Sequence, residues 1–387
     1  MSTKKRILII GVILAALVAV VNYCFDFEIA GQFEGFYLTR NTGSRVYELS
    51  DHLIVGQEKK LIFARTFNNS YYRMAKRLFP KLGNSSNHLY CEWNPWDGSG
   101  LVSSSFPDGT GIVTYLGRYL DGEKKAHGLF VGGGVPETIE QNNNYNMNNS
   151  GMTYFDGKRW YHIWCSVNEG IGSAAAGVTL TPSQWEFIGS GVESRSSDRV
   201  IIASKHKAVI DGVPVNISRK MHFTAGAAYF NLEIRIKNVG SIPLSYIYLY
   251  GDEPWVGYYG TSLGDVGWVQ DRIVPYEETI DRKKYSYFGM ADIGNSVIGE
   301  QPRYTNLANF IEWVGPEKPG VAYFTNDMNH LPAAGKKIPL ESNERFIGLL
   351  WERRLNPAES ATIRLAIGMA VLDPITGIPV KPPTVWE

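Results

Sequence analysis

The alternation of apolar and polar residues is clearest in the second half of the chain. From Phe230 to Lys237, apolar residues occupy every second position and polar residues lie between them. Because successive side chains of a β-strand point to opposite faces, this segment is predicted to be a strand with one buried and one wet face. Turn residues follow at 238–241, and 244–250 is predicted to be the returning strand.

Further strand pairs are predicted on both sides of this unit. Asp211 and Gly212 separate two short apolar runs, which is a compact hairpin signal. Near the C-terminus, the apolar run 346–351 is followed by turn residues and an alternating segment, 362–371. Since strands joined by short turns build sandwiches, we predict a mostly β fold, an antiparallel β-sandwich with few short helices.

Two short helices are predicted from their capping residues. Ser70 caps a segment over 71–79 that a proline ends. Thr181 precedes a first-turn proline and the capping-box residue Gln184, and this helix is expected to end by Gly189.

The predicted organisation has three parts. Residues 1–25 form a signal-anchor or transmembrane helix, 26–150 a β-rich region, and 151–387 the C-terminal sandwich. The boundary at 150 follows from an Asn-rich stretch, 141–150, that is predicted to be a surface loop.

The N-terminal segment predicts export. Three basic residues at 4–6 precede the apolar run 7–21, the pattern of a secretory signal or signal-anchor. As a helix this run spans roughly 22 Å, and residues 22–25 extend it to roughly 28 Å, close to the ~30 Å hydrocarbon core. The small residues of a cleavage site are not found at 20–23. We therefore expect an uncleaved membrane anchor with the body on the extracytoplasmic (periplasmic or extracellular) side; cleavage, or lipidation at Cys24, is the alternative.

Charge and motif content exclude several classes of protein. The 38 basic residues balance 38 acidic ones, so the chain lacks the basic footprint that nucleic-acid binding requires. The sequence contains no phosphate-binding loop, dinucleotide fingerprint, serine-hydrolase elbow or zinc-protease motif, so no cofactor and no metal are expected. Cys91 and Cys165 are either a disulfide or two buried thiols.

The segment 251–268 is the strongest candidate site. It follows a predicted strand, and four of its glycines, at 257, 260, 264 and 267, let the backbone approach a ligand. Paired carboxylates can divide acid and base roles, while neighbouring aromatic rings offer a stacking surface for sugars. The catalytic candidates are Asp252, Glu253 and Asp265, and the ligand-binding candidates here are Trp255, Tyr258 and Trp268. The alternative is a structural loop whose aromatic residues close the end of the core.

Two further positions add ligand-binding candidates. The segment 92–98 again combines acids, tryptophans and turn residues, and its candidates are Trp93, Trp96 and Asp97. Together with 251–268 it would form a cleft with tryptophan walls and an acidic floor; a tryptophan-anchored turn is the alternative. His162 alternates with Trp164 on one strand face and is either a ligand-binding residue or a hydrogen-bonded sheet histidine.

Two units resemble those of the galactose mutarotase-like supersandwich. One is the strand–turn–strand unit over 230–250, and the other is the turn from Leu355 to Glu359 before a final strand. The resemblance is architectural, covers about 200–371, and implies large antiparallel sheets of the kind found in sugar-acting enzymes. The catalytic His and Glu pattern of mutarotases does not map onto this chain, so no functional residue is carried over.

Taken together, these features predict an exported, membrane-tethered protein that binds or processes a cell-envelope or extracellular glycan. If the chain is an enzyme, it is expected to be a hydrolase, lyase or epimerase that uses acidic residues. One alternative is a non-catalytic envelope scaffold or assembly protein with a protein partner. A calcium-dependent adhesin is the other, although the chain has no recognisable calcium motif.

Overall fold

The computed structural model describes residues 86–94, 99–117, 130–131, 151–157, 160–164, 168–254, 256–257, 265–293, 304–327, 330–341 and 345–386. Within these ranges the protein consists of three antiparallel β-sheets and one short 3₁₀ helix, Pro182–Gln184. None of the helical structure in these ranges has the length and apolar character that a bilayer crossing requires. The predicted anchor at 1–25, the predicted helix at 71–79 and the Asn-rich stretch lie outside the described residues.

The first sheet has six strands in the spatial order β1-β2-β3-β5-β6, with β4 beside β3. Its strands are β1 (His88–Asn94), β2 (Ser99–Ser105), β3 (Gly111–Gly117), β4 (Phe130–Val131), β5 (Gly151–Phe155) and β6 (Trp160–Trp164). Because β3 pairs with β5, the division predicted at residue 150 runs through this sheet.

The second sheet is the largest, with ten strands in the order β15-β14-β17-β18-β21-β12-β11-β10-β9 and β22 beside β21. Its strands are β9 (Glu186–Arg195), β10 (Arg199–Ile210), β11 (Val213–Thr224), β12 (Tyr229–Asn238), β14 (Asp265–Val269), β15 (Arg272–Val274), β17 (Tyr287–Asp292), β18 (Leu307–Trp313), β21 (Ser360–Leu372) and β22 (Pro379–Val380).

The third sheet has six strands in the order β16-β19-β20-β13-β7-β8. They are β7 (Asn168–Ser173), β8 (Gly177–Leu180), β13 (Leu244–Asp252), β16 (Glu278–Thr279), β19 (Val321–Thr325) and β20 (Phe346–Leu355). Its inner face packs against the second sheet, where Phe288 of β17 meets Phe324 of β19 edge to face at 5.2 Å between ring centroids. The predicted antiparallel sandwich is therefore confirmed for the described residues.

The hairpin predicted at Asp211 and Gly212 is confirmed. It joins β10 to β11, with Ile210 directly opposite Val213. Both turn residues have positive φ, 50° and 77°, which is the backbone of the two-residue turns that match the right-handed twist of paired strands.

The alternation pattern suggested that the strand after the turn at 238–241 pairs with β12. In the structure this strand, β13, lies in a different sheet. β12 pairs with β11 and β21 in the second sheet, whereas β13 pairs with β20 and β7 in the third. Asn238 holds this crossing, because its side-chain amide donates to the carbonyl oxygens of Ile242 at 2.8 Å and Leu355 at 3.1 Å. The turn thus carries the chain from one layer of the sandwich to the other.

The short helix predicted after Thr181 is present as a single 3₁₀ turn, which ends before Gly189. The capping-box contact is present, since the Thr181 backbone N–H donates to the Gln184 side chain at 2.9 Å. The 3₁₀ helix nevertheless ends there, and Gly189 lies within β9. Trp185 has extended backbone and a buried side chain whose ring packs on His206, so burial of this ring sets the chain direction.

An ion pair crosses the interior between the second and third sheets. Arg219 lies on the inner face of β11, and its guanidinium is 2.8 Å from the carboxylate of Glu169 on β7, with side chains 0% and 1% exposed. Burial raises the pKa of Glu169 to about 7, and the charge of Arg219 opposes this rise. The contact joins the second sheet to the third through a buried pair of charged side chains.

Replacing Arg219 by Met removes the cation and leaves Glu169 buried alone. The free energy of unfolding should fall by about 3–5 kcal/mol, as measured by urea denaturation. The loss should grow as pH rises above about 7, the pKa of Glu169 in the wild-type protein, because the variant must then either keep the proton or ionise Glu169 without its cation. The double variant Arg219→Met/Glu169→Leu should recover most of the stability and lose this pH dependence. A double variant no more stable than the single one would contradict this account.

Candidate carboxylate-pair site

Two carboxylates lie side by side at one end of the second sheet. Asp265 is the first residue of β14 and lies directly opposite Asp292, the last residue of β17. Directly opposite residues of antiparallel strands project their side chains from the same face of the sheet. Both residues are buried, with 2% and 3% exposure. Two acidic groups therefore share a position from which water is largely excluded.

Different partners hold the two carboxylates. Asp265 forms an ion pair with the buried guanidinium of Arg345, 3.1 Å away, and accepts the backbone N–H of Val256 at 3.0 Å. Asp292 accepts the backbone N–H of Thr305 at 2.9 Å and its hydroxyl at 2.5 Å. The first carboxylate thus lies against a full positive charge, whereas the second accepts hydrogen bonds from the neutral donors of Thr305.

Burial dominates the protonation of both groups. It raises the pKa of Asp265 to about 8, with Arg345 opposing the rise and the neighbouring Asp292 adding to it. Burial also raises the pKa of Asp292, against the bonds from Thr305. Among the described residues, no hydrogen-bond donor reaches the second carboxylate oxygen of Asp265, Oδ1. Asp265 is therefore suited to carry a proton at neutral pH.

The first sheet reaches this region where His162 of β6 pairs with Gly257. Gly257 exchanges both backbone hydrogen bonds with His162 of β6, at 2.8 Å and 2.9 Å. Its φ is +99°, and a Cβ at this position would collide with the carboxylate oxygen of Asp292 and lie 2.9 Å from the Thr305 hydroxyl. Only glycine allows the backbone to pass this close to the carboxylate pair.

The position of β6 is fixed by Asn309 of β18. The Asn309 side-chain amide donates to the carbonyl oxygen of Ile163 at 3.0 Å, and its side-chain oxygen accepts the backbone N–H of Met290 at 2.8 Å. The backbone carbonyl of Asn309 accepts the indole N–H of Trp268 at 3.0 Å. One buried residue therefore ties together β6, β17, β18 and β14.

The backbone of His162 pairs with Gly257, which approaches the carboxylate pair, and the His162 side chain is fully buried. Burial lowers the pKa of His162 to about 3, so the imidazole is neutral at physiological pH. A buried sheet histidine, one of the two roles considered from the sequence, fits this position.

Trp268 is placed differently from the sequence-based expectation. Its side chain has 0% exposure, and its ring packs edge-on against Tyr287 at 5.7 Å. Asp265 and Trp268 are three residues apart in β14, so they project from opposite faces of the strand. The role of an open stacking surface does not fit Trp268, which is a core residue here.

The other candidates are not brought together by the described structure. Glu253 is partly buried and directly follows β13, whose last residue is Asp252. Trp93 of β1 is partly buried against the main core. Four candidates lie outside the described residues, namely Trp255, Tyr258, Trp96 and Asp97. That the segments 92–98 and 251–268 together form one cleft stays a prediction.

Several components of the site were missed from the sequence. Asp292 ends an apolar strand, as Asp265 begins one, and this shared feature was the available signal. Arg345 and Thr305 come from other parts of the chain, and their convergence with Asp265 and Asp292 depends on the fold. Cys91 is a buried free thiol whose pKa burial raises to about 11, and Cys165 is not among the described residues.

The sequence matches no protein-family model and no curated protein. Among solved structures, a putative aldose 1-epimerase from Klebsiella pneumoniae aligns with a TM-score of 0.36 and 10% identity, covering 75% of this chain and 86% of that chain. A galactose mutarotase-like protein from Clostridium acetobutylicum gives a TM-score of 0.35 and 10% identity, covering 74% and 100%. An aldose epimerase homologue from C. elegans gives 0.33 and 10%, covering 74% and 100%. These structures are similar to the chain in architecture only, and at TM-scores this low the similarity supports no argument about its residues or reaction.

Replacing Gly257 by Ala tests the close approach at the carboxylate pair. We expect the free energy of unfolding to fall by about 2–4 kcal/mol. Alanine is strained at the positive φ of this position, and its methyl group would collide with the Asp292 carboxylate. Gly177→Ala is the matched control, since Gly177 has a φ of +81° but open space around a Cβ; it should cost about 1–2 kcal/mol. Equal losses in the two variants would show that the approach to Asp292 is not tight.

Proposed function

We propose that this chain is an exported, membrane-tethered protein that binds or processes carbohydrate, acting on a cell-envelope or extracellular glycan. The observation that carries the proposal is the pair of buried carboxylates, Asp265 and Asp292, held by unlike partners. Asp265 belongs to the segment 251–268, whose composition suggested sugar recognition, and Asp292 lies directly opposite it. The basic and apolar segment at 1–25 supports the location.

The proposed chemistry is proton transfer. Hydrolysis, elimination and epimerisation of sugars each need a proton donor and a proton acceptor, and two carboxyl groups can divide these roles when their surroundings differ. We assign Asp265 as the donor, because burial raises its pKa to about 8. Arg345 would then stabilise the charge that Asp265 acquires when the proton leaves. Asp292 is the acceptor in this assignment.

The competing function is a non-catalytic envelope scaffold that contacts a protein partner. The observation that favours it is the completeness of burial, since Asp265, Asp292 and Arg345 have exposures of 2%, 3% and 1%. In a scaffold these charges would serve only to join the strands that carry them. The two functions predict different results for the same set of variants.

Asp265→Asn and Asp292→Asn should each lower sugar turnover by at least roughly 100-fold, because each removes one proton-transfer group. The full-length protein in detergent would first be screened on a glycan array and then assayed for turnover of the bound glycan. Asp271→Asn is the matched control, as it removes an exposed carboxylate paired with Lys284 near β14; turnover should be unchanged.

Glu253→Gln and Trp255→Ala extend the test to the neighbouring segment, where reduced glycan binding is expected. If the wild-type protein binds no glycan, or if all four variants retain binding and turnover with an intact fold, the carbohydrate proposal fails. The scaffold function then stands.

A further inference from the structure

The C-terminal segment, 381–386, crosses the outer face of the second sheet. It follows β22, which pairs with the end of β21 through Val380 opposite Val371. The sequence Lys-Pro-Pro-Thr-Val-Trp begins with two consecutive prolines after the lysine, which favour an extended backbone. The strands beneath it, β12, β18 and β21, are already paired on both sides. The segment is therefore held by side chains of the sheet rather than by strand pairing.

The lysine of this segment sits in a cation site. The Lys381 ammonium lies 2.9 Å from the Glu312 carboxylate, with side-chain exposures of 11% and 15%. The same ammonium lies 5.1 Å from the ring centroid of Tyr287 and 5.4 Å from that of Phe310. The Thr384 hydroxyl also donates to Glu312. A carboxylate and two aromatic rings around one cation form a selective arrangement.

The other end of the segment is held through both its backbone and its terminal ring. The Val385 backbone N–H donates to the Tyr229 hydroxyl at 2.9 Å, and its carbonyl oxygen accepts the Asn231 side-chain amide at 2.7 Å. The Trp386 ring lies 5.5 Å from the Arg364 guanidinium and 6.4 Å from the His222 ring. Backbone bonds fix an extended strand of peptide, and the ring contacts select an aromatic residue.

A second observation at this face points to a ligand. Asn231 is 7% exposed, and its side-chain oxygen accepts no hydrogen bond within the described part of the chain. A buried acceptor without a donor is costly, and a peptide with one more donor would satisfy it. The C-terminal segment therefore fills this face without using all of its hydrogen-bonding capacity.

We propose that this outer face is a peptide-binding groove and that the chain's own C-terminal segment occupies it in cis. The partner that fits is an extended segment of another protein. This segment has a lysine, then prolines directly after the lysine, and an aromatic residue about five positions after the lysine. Glu312, Tyr287 and Phe310 select the lysine, Tyr229 and Asn231 bind the backbone, and Arg364 with His222 receives the aromatic ring. This site lies on the face of the second sheet opposite the carboxylate pair, and it does not depend on the proposed carbohydrate function.

The test uses the full-length protein in detergent and a fluorescent peptide with the sequence of residues 378–387. In the wild-type protein the attached segment competes at an effective concentration in the mM range. The double variant Lys381→Ala/Trp386→Ala weakens that competitor and leaves the groove intact. Fluorescence anisotropy should show that the variant binds the peptide at least roughly tenfold more tightly than the wild-type protein.

Two controls decide the interpretation. A peptide with Ala in place of both its lysine and its tryptophan should not bind the double variant. Adding Glu312→Gln to the double variant should weaken binding of the unmodified peptide. The proposal is overturned if the folded double variant does not bind the peptide or binds the alanine peptide equally well. If the double variant does not fold, Trp386→Ala alone takes its place, and the same comparisons apply.

Discussion

The dry interior between the second and third sheets is the constraint on which the rest of this structure depends. Charged groups placed there cannot rely on water, so each must be paired or must keep its proton. Glu169 is paired with Arg219 between the two sheets, and at the sheet end Asp265 lies against Arg345 with a pKa raised by burial. The same burial that makes these pairs necessary raises the pKa of both acids. Fold stability and the proposed acid–base chemistry thus have one physical origin.

Local patterns predicted local structure well. The alternation over 230–237 identified β12, and Asp211-Gly212 identified the hairpin between β10 and β11, because both features arise from neighbouring residues. The sheet to which β13 belongs could not be predicted in this way. Its crossing depends on Asn238 bonding to Leu355, a residue far away in the sequence.

In the candidate site, too, some features follow from neighbouring residues and others depend on residues far apart in the sequence. Asp265 was identified from its surroundings in the sequence, but Asp292 was not, because only strand register makes the two residues neighbours. Trp268 lies in β14, in which every residue is buried, so the alternative of a core aromatic residue fits it better. A strand covered on both faces shows no alternation, so its aromatic residues look like those of a binding loop. Composition alone could not separate a core tryptophan from one that faces a ligand.

The central claim is that burial keeps a proton on Asp265 near neutral pH, and its ionisation can be measured directly. Side-chain carboxyl ¹³C shifts of aspartate-labelled protein would be followed by NMR from pH 4 to pH 9. The account predicts one aspartate that titrates with a pKa of about 8 and whose signal is lost in Asp265→Asn. If the Asp265 signal instead titrates near the ordinary aspartate value of about 4, the carboxylate is a plain ion-pair partner of Arg345, and the proton-donor assignment is contradicted.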